Sequence, residues 1–570
     1  MHLVRDPRRS RLRRPLPGAV SAALLTLAVL AAGAAAAPGA SASTTATSGD
    51  AAALAVTPPM GWNDWAHYQC GYNESTILQN AEALVSSGLA AKGYNTVTID
   101  DCWMETTRDS AGNLVANPAL FPDGMAYVGT QLHSMGIKFG IYEDAGTSTC
   151  GGYAGSWGHW QQDADLFASW GVDYLKLDGC NLPTVSGQTE EQTYQSAYSQ
   201  MSQALKNSGR DIVFSESAPA YFQGTTDWDT VLGWVGQYGQ LWREGSDIQT
   251  YDASSPSTSR WDSVLTNYGY NNPIHRYESP GNWNDPDFLI AGDSGLTAAE
   301  SQSQIALWAM MGSPMIMSND VSSLSAASIA ALGNSAVIAV DQDSLDSPGY
   351  VVSQNGTLDV LTRPLANGDR AVAILNRSGS TVSAGTTAGA IGFTGGSGCG
   401  YSVRDLWAGS TSTTSGAISA SIPAHGTAIY RVTPSAGCGA TTDLGQITGG
   451  GGQCLDDSGS GTADGNPIIL YGCTGNANQQ WTLPGDGTVR TLGKCLDIPG
   501  GATAAGTGVD LSGCNGSAEQ QWTYARSGNL TNPQSGDCLD ATGGSDANGT
   551  RLEIWPCGDN QTNQTWSLPE

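Results

Sequence analysis

Carboxylates at the ends of apolar runs are the residues of this chain best suited to chemistry. Val172–Asn181 reads V-D-Y-L-K-L-D-G-C-N: a β-type run stops on Asp178, with Lys176 two positions earlier and a Gly and a Cys behind it. Similar endings carry Asp100 and Asp101, Asp247 with Arg243, and Asp287. Two carboxylates flanking a glycosidic bond are the minimal apparatus for its hydrolysis. One attacks carbon or activates water; the other, with a raised pKa, protonates the leaving oxygen. Sugar hydroxyls need bidentate acceptors and donors, and sugar C–H faces need aromatic platforms. The surplus acids, Lys176, Arg243 and several Trp offer both. A phosphate would call for Gly-rich loops or more cations. Magnesium or calcium could use the same acids, but Lys176 and Arg243 would compete with the ion. The six His show no H-E-x-x-H or paired-ligand pattern, so no zinc site is expected, and hydrolysis by two carboxylates needs no cofactor.

Such acids need strands that deliver them to one face. Apolar runs ending in polar or aromatic groups recur eight times, near Trp62–Trp65, Asp100-Asp101, Tyr142–Asp144, Lys176/Asp178, Ser215–Ser217, Arg243–Asp247, Asp285/Asp287 and Ser318–Asp320. Helical segments lie between several of them, for example Ile77–Lys92 and Thr193–Ser208. Eight strand-then-helix units over 54–342 predict a (β/α)8 TIM barrel with its site on the carboxyl-end face. A chain of 570 residues holds more than this. Val351–Pro434 alternates apolar and polar residues, with Asn367-Gly368 between two such runs, and predicts an antiparallel β-sandwich over 343–436. Beyond it, over 440–570, the last six Cys fall in three pairs each separated by 19: Cys454/Cys473, Cys495/Cys514 and Cys538/Cys557. Each first Cys opens C-L-D and each second precedes Q-x-W. Three such copies predict a threefold β-trefoil with Trp481, Trp522 and Trp566 in its core.

Ahead of the barrel, six Arg precede an apolar run from about Ala19 to Ala37. Residues 1–37 read as a secretory signal peptide, and 38–53 as a flexible segment. Removing residues 1–37, which hold six Arg and one Asp, takes the net charge from −28 to −33. An anionic chain with only 13% charged residues is a poor binder of nucleic acid or membrane surfaces and suits neutral polar ligands. Twelve Cys, an even number without C-x-x-C spacing, fit disulfides in a secreted, extracellular protein. Cys399 and Cys438 are the leftover pair, a candidate bridge in the sandwich.

The segments T-P-P-M-G-W-N-D-W (Thr57–Trp65), I-D-D-C-W-M (Ile99–Met104), K-F-G-I-Y-E-D-A-G (Lys138–Gly146), Y-L-K-L-D-G-C (Tyr174–Cys180), L-W-R-E-G-S-D-I (Leu241–Ile248) and W-N-D-P-D (Trp283–Asp287) follow in order. Together they resemble glycoside hydrolase family 27, the α-galactosidases and α-N-acetylgalactosaminidases, over about Leu54–Thr433. The resemblance implies a retaining hydrolase with Asp178 as nucleophile and Asp247 as acid/base, their carboxyls roughly 5–5.5 Å apart. It implies that Asp100 and Asp101 bind the sugar 4- and 6-hydroxyls, and that Lys176 bonds ring hydroxyls beside the nucleophile. Trp65 and Tyr142 would wall the pocket, Arg243 would contact the 2-substituent, and Asp287 could raise the Asp247 pKa by like-charge repulsion. It also implies the disulfides Cys70–Cys102 and Cys150–Cys180. The trefoil resembles ricin-type lectin domains (carbohydrate-binding module family 13). There the implied sugar ligands are Asp456, Tyr471, Asn478 and Gln479 in the first copy, and Asp540, Trp555, Asn563 and Gln564 in the third. The second copy has Ser512 at the aromatic position and Glu519 in place of Asn, and so lacks a stacking platform.

One segment departs from the family. Where animal-type α-galactosidases read S-C-E-W-P-L-Y, this chain reads S-E-S-A-P-A-Y (Ser215–Tyr221). Aligned without gaps, Ser217 replaces the Glu that bonds the 2-hydroxyl and Ala220 replaces the Leu, the small residues that admit an N-acetyl group; Tyr221 stays. The Cys before that Glu becomes Glu216, and its usual partner becomes Gly239, so both halves of one disulfide are missing together. A one-residue shift would instead give Glu216 the role of the Glu. The expected activity is hydrolysis of terminal α-galactosyl residues from oligo- and polysaccharides, with a polysaccharide held by the trefoil. The rivals are an α-N-acetylgalactosaminidase, a β-L-arabinopyranosidase, which the presence of both Asp100 and Asp101 disfavours, and a lectin on an inactive barrel, which complete Asp178 and Asp247 motifs disfavour.

Overall fold

The structure, a computed structural model, describes residues 54–568 apart from 249–257, 279–280, 346, 394–397, 437, 439–443, 475, 484–486, 493, 525–527 and 559–560. The expected signal peptide and flexible segment, 1–53, lie outside the described residues.

Eight short parallel strands form the first domain: β1 (Met60–Asn63), β2 (Thr96–Ile99), β3 (Lys138–Asp144), β4 (Tyr174–Asp178), β5 (Val213–Glu216), β6 (Leu241–Arg243), β7 (Trp283–Asp285) and β8 (Met315–Met317). They pair in chain order, and β1 also pairs with β8. A parallel bridge between Leu289 and Met317 closes the ring beyond β7. Their near-continuous apolar character follows from burial on both faces, by side chains inside and helices outside. Each strand ends within about two residues of the polar group that marked it.

The helices differ more from expectation at their starts. The segment expected at Ile77–Lys92 is a helix over Glu74–Ser86 and a separate 3-10 turn over Ala90–Lys92, split at Gly88 with φ +81°. The one expected at Thr193–Ser208 spans Glu190–Asn207. Both start earlier because a capping box, Asn73 with Thr76 and Thr189 with Gln192, satisfies the first amides ahead of the apolar periodicity.

The second domain has a six-stranded antiparallel sheet and a two-stranded one. In chain order the strands are β9 (Tyr350–Gln354), β10 (Leu358–Pro364), β11 (Arg370–Asn376), β12 (Val382–Thr387), β13 (Tyr401–Asp405), β14 (Thr411–Thr414), β15 (Ala417–Ile422) and β16 (Thr427–Pro434). The large sheet runs β14-β13-β16-β11-β10-β9, and β12 pairs with β15. Asn367-Gly368 turns β10 into β11 with Gly368 at φ +84°. Cys399 and Cys438 form a disulfide.

The barrel helix Ala298–Met311 is buried almost throughout, because this domain covers its outer side. Ser303 Oγ donates to the His425 carbonyl (2.7 Å), and Arg363 donates to the Ala309 carbonyl (2.5 Å). The barrel core continues without a break into Leu361, Ala371, Ala373, Leu375 and Ile429.

The third domain has its own core, in which Trp481, Trp522 and Trp566 take equivalent places. Their indole N–H groups donate to the carbonyls of Leu455, Leu496 and Leu539. Three C-L-D strands lie antiparallel to Asn466–Tyr471, Asp510–Ser512 and Leu552–Trp555. Each copy carries its own disulfide: Cys454–Cys473, Cys495–Cys514 and Cys538–Cys557.

Candidate active site

Strand register decides which side chains share the barrel mouth. Tyr142 on β3, Lys176 on β4 and Ser215 on β5 are paired neighbours, and one pleat further on Asp144 pairs with Asp178. Paired residues face the same way, so these polar groups line the inside while Leu177 and Glu216, also paired, face the helices.

Three donors converge on the Asp178 carboxylate. Tyr221 Oη donates at 2.5 Å, Tyr142 Oη at 3.3 Å and the Gly179 amide at 2.9 Å. Lys176 Nζ lies 2.7 Å from Asp100 Oδ2 and between the rings of Tyr142 and Phe288, at 5.3 and 5.2 Å from their centroids. Burial opposes the lysine charge, but Asp100 and Asp178 outweigh it and hold its pKa above the ordinary value. Asn63 ties two more elements together: its Nδ2 donates to Asp100 Oδ2 (2.6 Å) and its Oδ1 accepts the Trp65 amide (2.8 Å). Asp101 accepts the amides of Cys102 and Gly151, both at 2.7 Å, yet burial pushes its carboxyl up to about 6. Disulfides Cys70–Cys102 and Cys150–Cys180 tie the loops that follow β1 and β2, and β3 and β4.

On the opposite side Arg243 stands between two carboxylates, 3.1 Å from Asp247 and 3.0 Å from Asp287. Asp287 also accepts the Ile248 amide at 2.6 Å. Asp247 stands below the ordinary carboxylate value rather than above it. Desolvation works to raise Asp247, but the charges of Arg243 and Lys176 win and leave it below the ordinary carboxylate value. Asp287 is pushed up to about 6, by burial chiefly and by the charge of Asp247 in part. The difference between the two follows from burial: Arg243 favours the charged form of both acids, but the Asp287 side chain is buried whereas that of Asp247 is exposed.

Ser217 stands at the N-cap position of the short helix Ala218–Phe222, without a side-chain capping bond, and this helix carries Tyr221 to Asp178. Glu216 points the other way, fully buried, with Gly239 so close that a Cβ there would lie 2.4 Å from Glu216 Oε1. Desolvation holds that carboxyl well above its ordinary pKa. On this register Glu216 faces away from the mouth, and Glu216 and Gly239 face each other.

Sequence reasoning missed Asn63, Phe288 and the fully buried Asp64, whose Oδ1 accepts the Asp100 amide (2.8 Å). Asn63 and Asp64 lie inside the M-G-W-N-D-W segment, beside Trp65, and that adjacency was their only mark. Among the described residues, Asp144, Cys150 and Cys180 come together in the manner of metal ligands, but both sulfurs are joined in a disulfide.

The trefoil residues gather in separate hydrogen-bonded clusters. Asp456 accepts from Asn478 (2.9 Å) and Gln479 (2.8 Å), and Asp540 from Asn563 (2.8 Å) and Gln564 (2.7 Å). Beside them Tyr471 and Trp555 are 43% and 47% exposed, open as stacking faces. In the second copy Asp497 accepts from Gln520 (2.9 Å), and the partner strand carries Ser512.

A closed β/α barrel with crowded carboxylates at its carboxyl-end mouth, a sandwich sharing its core and a trefoil together define a modular glycoside hydrolase. Residues 57–343 match the family described as alpha galactosidase A, 355–432 its C-terminal beta sandwich domain, and 443–566 the ricin-type beta-trefoil lectin domain. The chain is 42% identical over 444 residues to alpha-galactosidase A of Aspergillus niger, covering 77% of this chain and 80% of that one. An alpha-galactosidase of Oryza sativa subsp. japonica is 39% identical over 385 residues, 67% of this chain and 86% of that one. The crystal structure of alpha-galactosidase I from Mortierella vinacea superposes with a TM-score of 0.60 at 32% identity, over 67% of this chain and 98% of that one. The chain belongs to the alpha-galactosidase family.

Proposed function

We propose that the protein is a secreted, retaining exo-α-galactosidase that removes terminal α-D-galactosyl residues from oligo- and polysaccharides. The supporting observation is the Asp178 carboxylate, set at the end of β4 among three donors. In the first step an Asp178 oxygen bonds to the anomeric carbon while the glycosidic C–O bond breaks, and the leaving oxygen takes a proton from Asp247. In the second, Asp247 takes a proton from water, the water oxygen bonds to the anomeric carbon, and the ester to Asp178 breaks. Asp100, Asp101 and Lys176 hold the 4-, 6- and ring hydroxyls, with Trp65 and Tyr142 as walls. Arg243 pairs with Asp247 in the free pocket and favours its base form. The trefoil tethers the enzyme to polysaccharide through its first and third copies. The division into 54–342, 343–436 and 440–570, export through residues 1–37 and an extracellular site of action complete this reading. Six disulfides support the last point, and no helix among the described residues is long and apolar enough to cross a membrane.

A second reading, α-N-acetylgalactosaminidase, rests on the small residues Ser217 and Ala220 ahead of Tyr221, with Glu216 paired to Leu177 and facing away from the mouth. A Ser/Ala wall still admits galactose, at the loss of a charge-assisted bond worth on the order of 1–3 kcal/mol. Cleavage of 4-nitrophenyl α-galactoside, α-N-acetylgalactosaminide and β-L-arabinopyranoside, compared by kcat/KM, separates the readings. Ser217→Glu with Ala220→Leu should move the ratio toward galactose by roughly 10–100-fold, by adding an acceptor and filling the acetamide space. An unmoved ratio would remove these two residues from the specificity wall.

A further inference from the structure

We propose that Asp144, the last residue of β3, is a positioning residue that locks the chain leaving the nucleophile, so that Asp178 meets the anomeric carbon in one orientation. The inference rests on the reading of Asp178 as nucleophile. Asp144 is fully buried and lies beside Asp178 in the strand register. Its two oxygens grip two loops at once: Oδ1 accepts the Gly146 amide at 2.6 Å, and Oδ2 accepts the Cys180 amide at 2.8 Å. Cys180 is two residues after the nucleophile. Fixing its amide fixes the orientation of the preceding Gly179–Cys180 peptide, and through it Gly179, whose own N–H holds Asp178 Oδ1.

Everything around this grip serves the same end. The Ala145 amide donates to the Asp178 carbonyl (2.9 Å) and the Thr147 amide to the Asn181 carbonyl (3.2 Å). Asn181, at φ +51°, donates its Nδ2 to the carbonyls of Ser148 (3.2 Å) and Thr149 (3.0 Å). Gly146 passes so close to Cys180 that a Cβ would lie 2.0 Å from the Cys180 carbonyl oxygen. Disulfide Cys150–Cys180 closes the same loop, with Cys150 Sγ 3.5 Å from Asp178 Oδ2 and 3.7 Å from Asp144 Oδ2. Buried beneath this lacing, Asp144 acts through backbone amides alone. A carboxyl next to another carboxyl is a costly choice for packing. It is a reasonable one for gripping two amides that diverge from a single point, since both of its oxygens accept.

Asp144→Asn keeps the size but turns an NH2 group toward one of the two amides. The expected result with 4-nitrophenyl α-galactoside is a fall in kcat of about 10–100-fold with KM within about threefold. Competitive inhibition by free galactose should be unchanged, because Asp100, Asp101 and Lys176 are untouched. The rate at which an activated 2-deoxy-2,2-difluoro-α-galactoside labels the enzyme should fall with kcat. Glu143→Gln serves as control, since Glu143 is an equally buried carboxyl one residue earlier on the opposite face of β3; its kcat should stay at the parent value. If Asp144→Asn does not fold, Asn181→Gly, which keeps the backbone freedom and deletes the two side-chain ties, should lower kcat about 3–10-fold in the same pattern. Parent-like kcat in both variants, an equal loss in Glu143→Gln, or a matching loss of galactose affinity would overturn the proposal. Asp178→Ala run alongside separates the two failures: its residual turnover at parent stereochemistry would remove the nucleophile reading, whereas a dead Asp178→Ala beside a fully active Asp144→Asn removes only this one.

Discussion

The barrel mouth and the trefoil sites handle the same kind of ligand with opposite economies of charge. At the mouth, Asp64, Asp100, Asp101, Asp144, Asp178, Asp285 and Asp287 crowd around two cations, Lys176 and Arg243. Burial drives Asp101 and Asp287 up to about 6, and two disulfides hold the loops in place. A trefoil site has one Asp satisfied by two neutral amides and one open aromatic. Stabilising charge that develops in a transition state needs fixed, desolvated dipoles and charges. Weak binding needs only a face and an acceptor, repeated. One region therefore concentrates its cost in a single place, and the other spreads a small gain over copies.

Removing the centre of the first region should have the largest effect. Asp178→Ala should lower kcat/KM by at least about a thousandfold while leaving polymer retention intact. Azide should not return turnover to a retained product. Tyr221→Phe removes the 2.5 Å donor to Asp178 and should lower kcat roughly 10–100-fold, the worth of one charge-assisted hydrogen bond. In the trefoil, Tyr471→Ala and Trp555→Ala should each weaken retention on an insoluble galactosyl or xylan-type polysaccharide about 5–10-fold, and together nearly abolish it. Activity on a soluble chromogenic substrate should not change in either. Equal retention by the double variant would mean that another surface binds.

A pH prediction sharpens the contrast in stability. Asp341, fully buried at the end of helix Ser335–Asp341, is raised to about 7 by desolvation against the pull of Arg363. Its folded pKa exceeds its unfolded value of 3.8, so its stabilising contribution is complete below pH 3.8 and is lost as pH rises through about 7. Asp341→Asn should flatten the fall in melting temperature of the barrel transition between pH 4 and 8 by a few degrees, and leave the trefoil transition where it is. The smallest expected effect is none: Ser512→Ala in the second trefoil copy should change neither retention nor activity.

Much of this was legible from residue order because the cues are local. Parallel strands buried on both faces announce themselves as apolar runs, and their ends fall where the chain must meet water or a ligand, at Asp178 as at Arg243. The trefoil repeated its cue three times. What stayed hidden depends on who stands next to whom across strands. Asn63 links Trp65 to Asp100, and Phe288 flanks Lys176; neither bond is encoded in spacing along the chain. The two possible positions of Glu216 differ by one residue, and only its pairing with Leu177 shows that it faces the helices. Arg243 and Lys176 set the charge state of Asp247 more strongly than its acidic neighbour does, and a cation's place between two acids is a three-dimensional fact.

Helix Ala298–Met311 has a consequence for how the protein comes apart. With barrel on one side and sandwich on the other, little beyond its first turn meets water. Shearing the sandwich away would strip that helix and uncover Leu361, Ala373 and Ile429 with it, so the two domains should melt, refold and resist proteases as one cooperative unit. The trefoil closes its own core. Expressing the trefoil apart from the rest should give a folded lectin domain and leave a working enzyme, whereas no division between barrel and sandwich should leave either half standing.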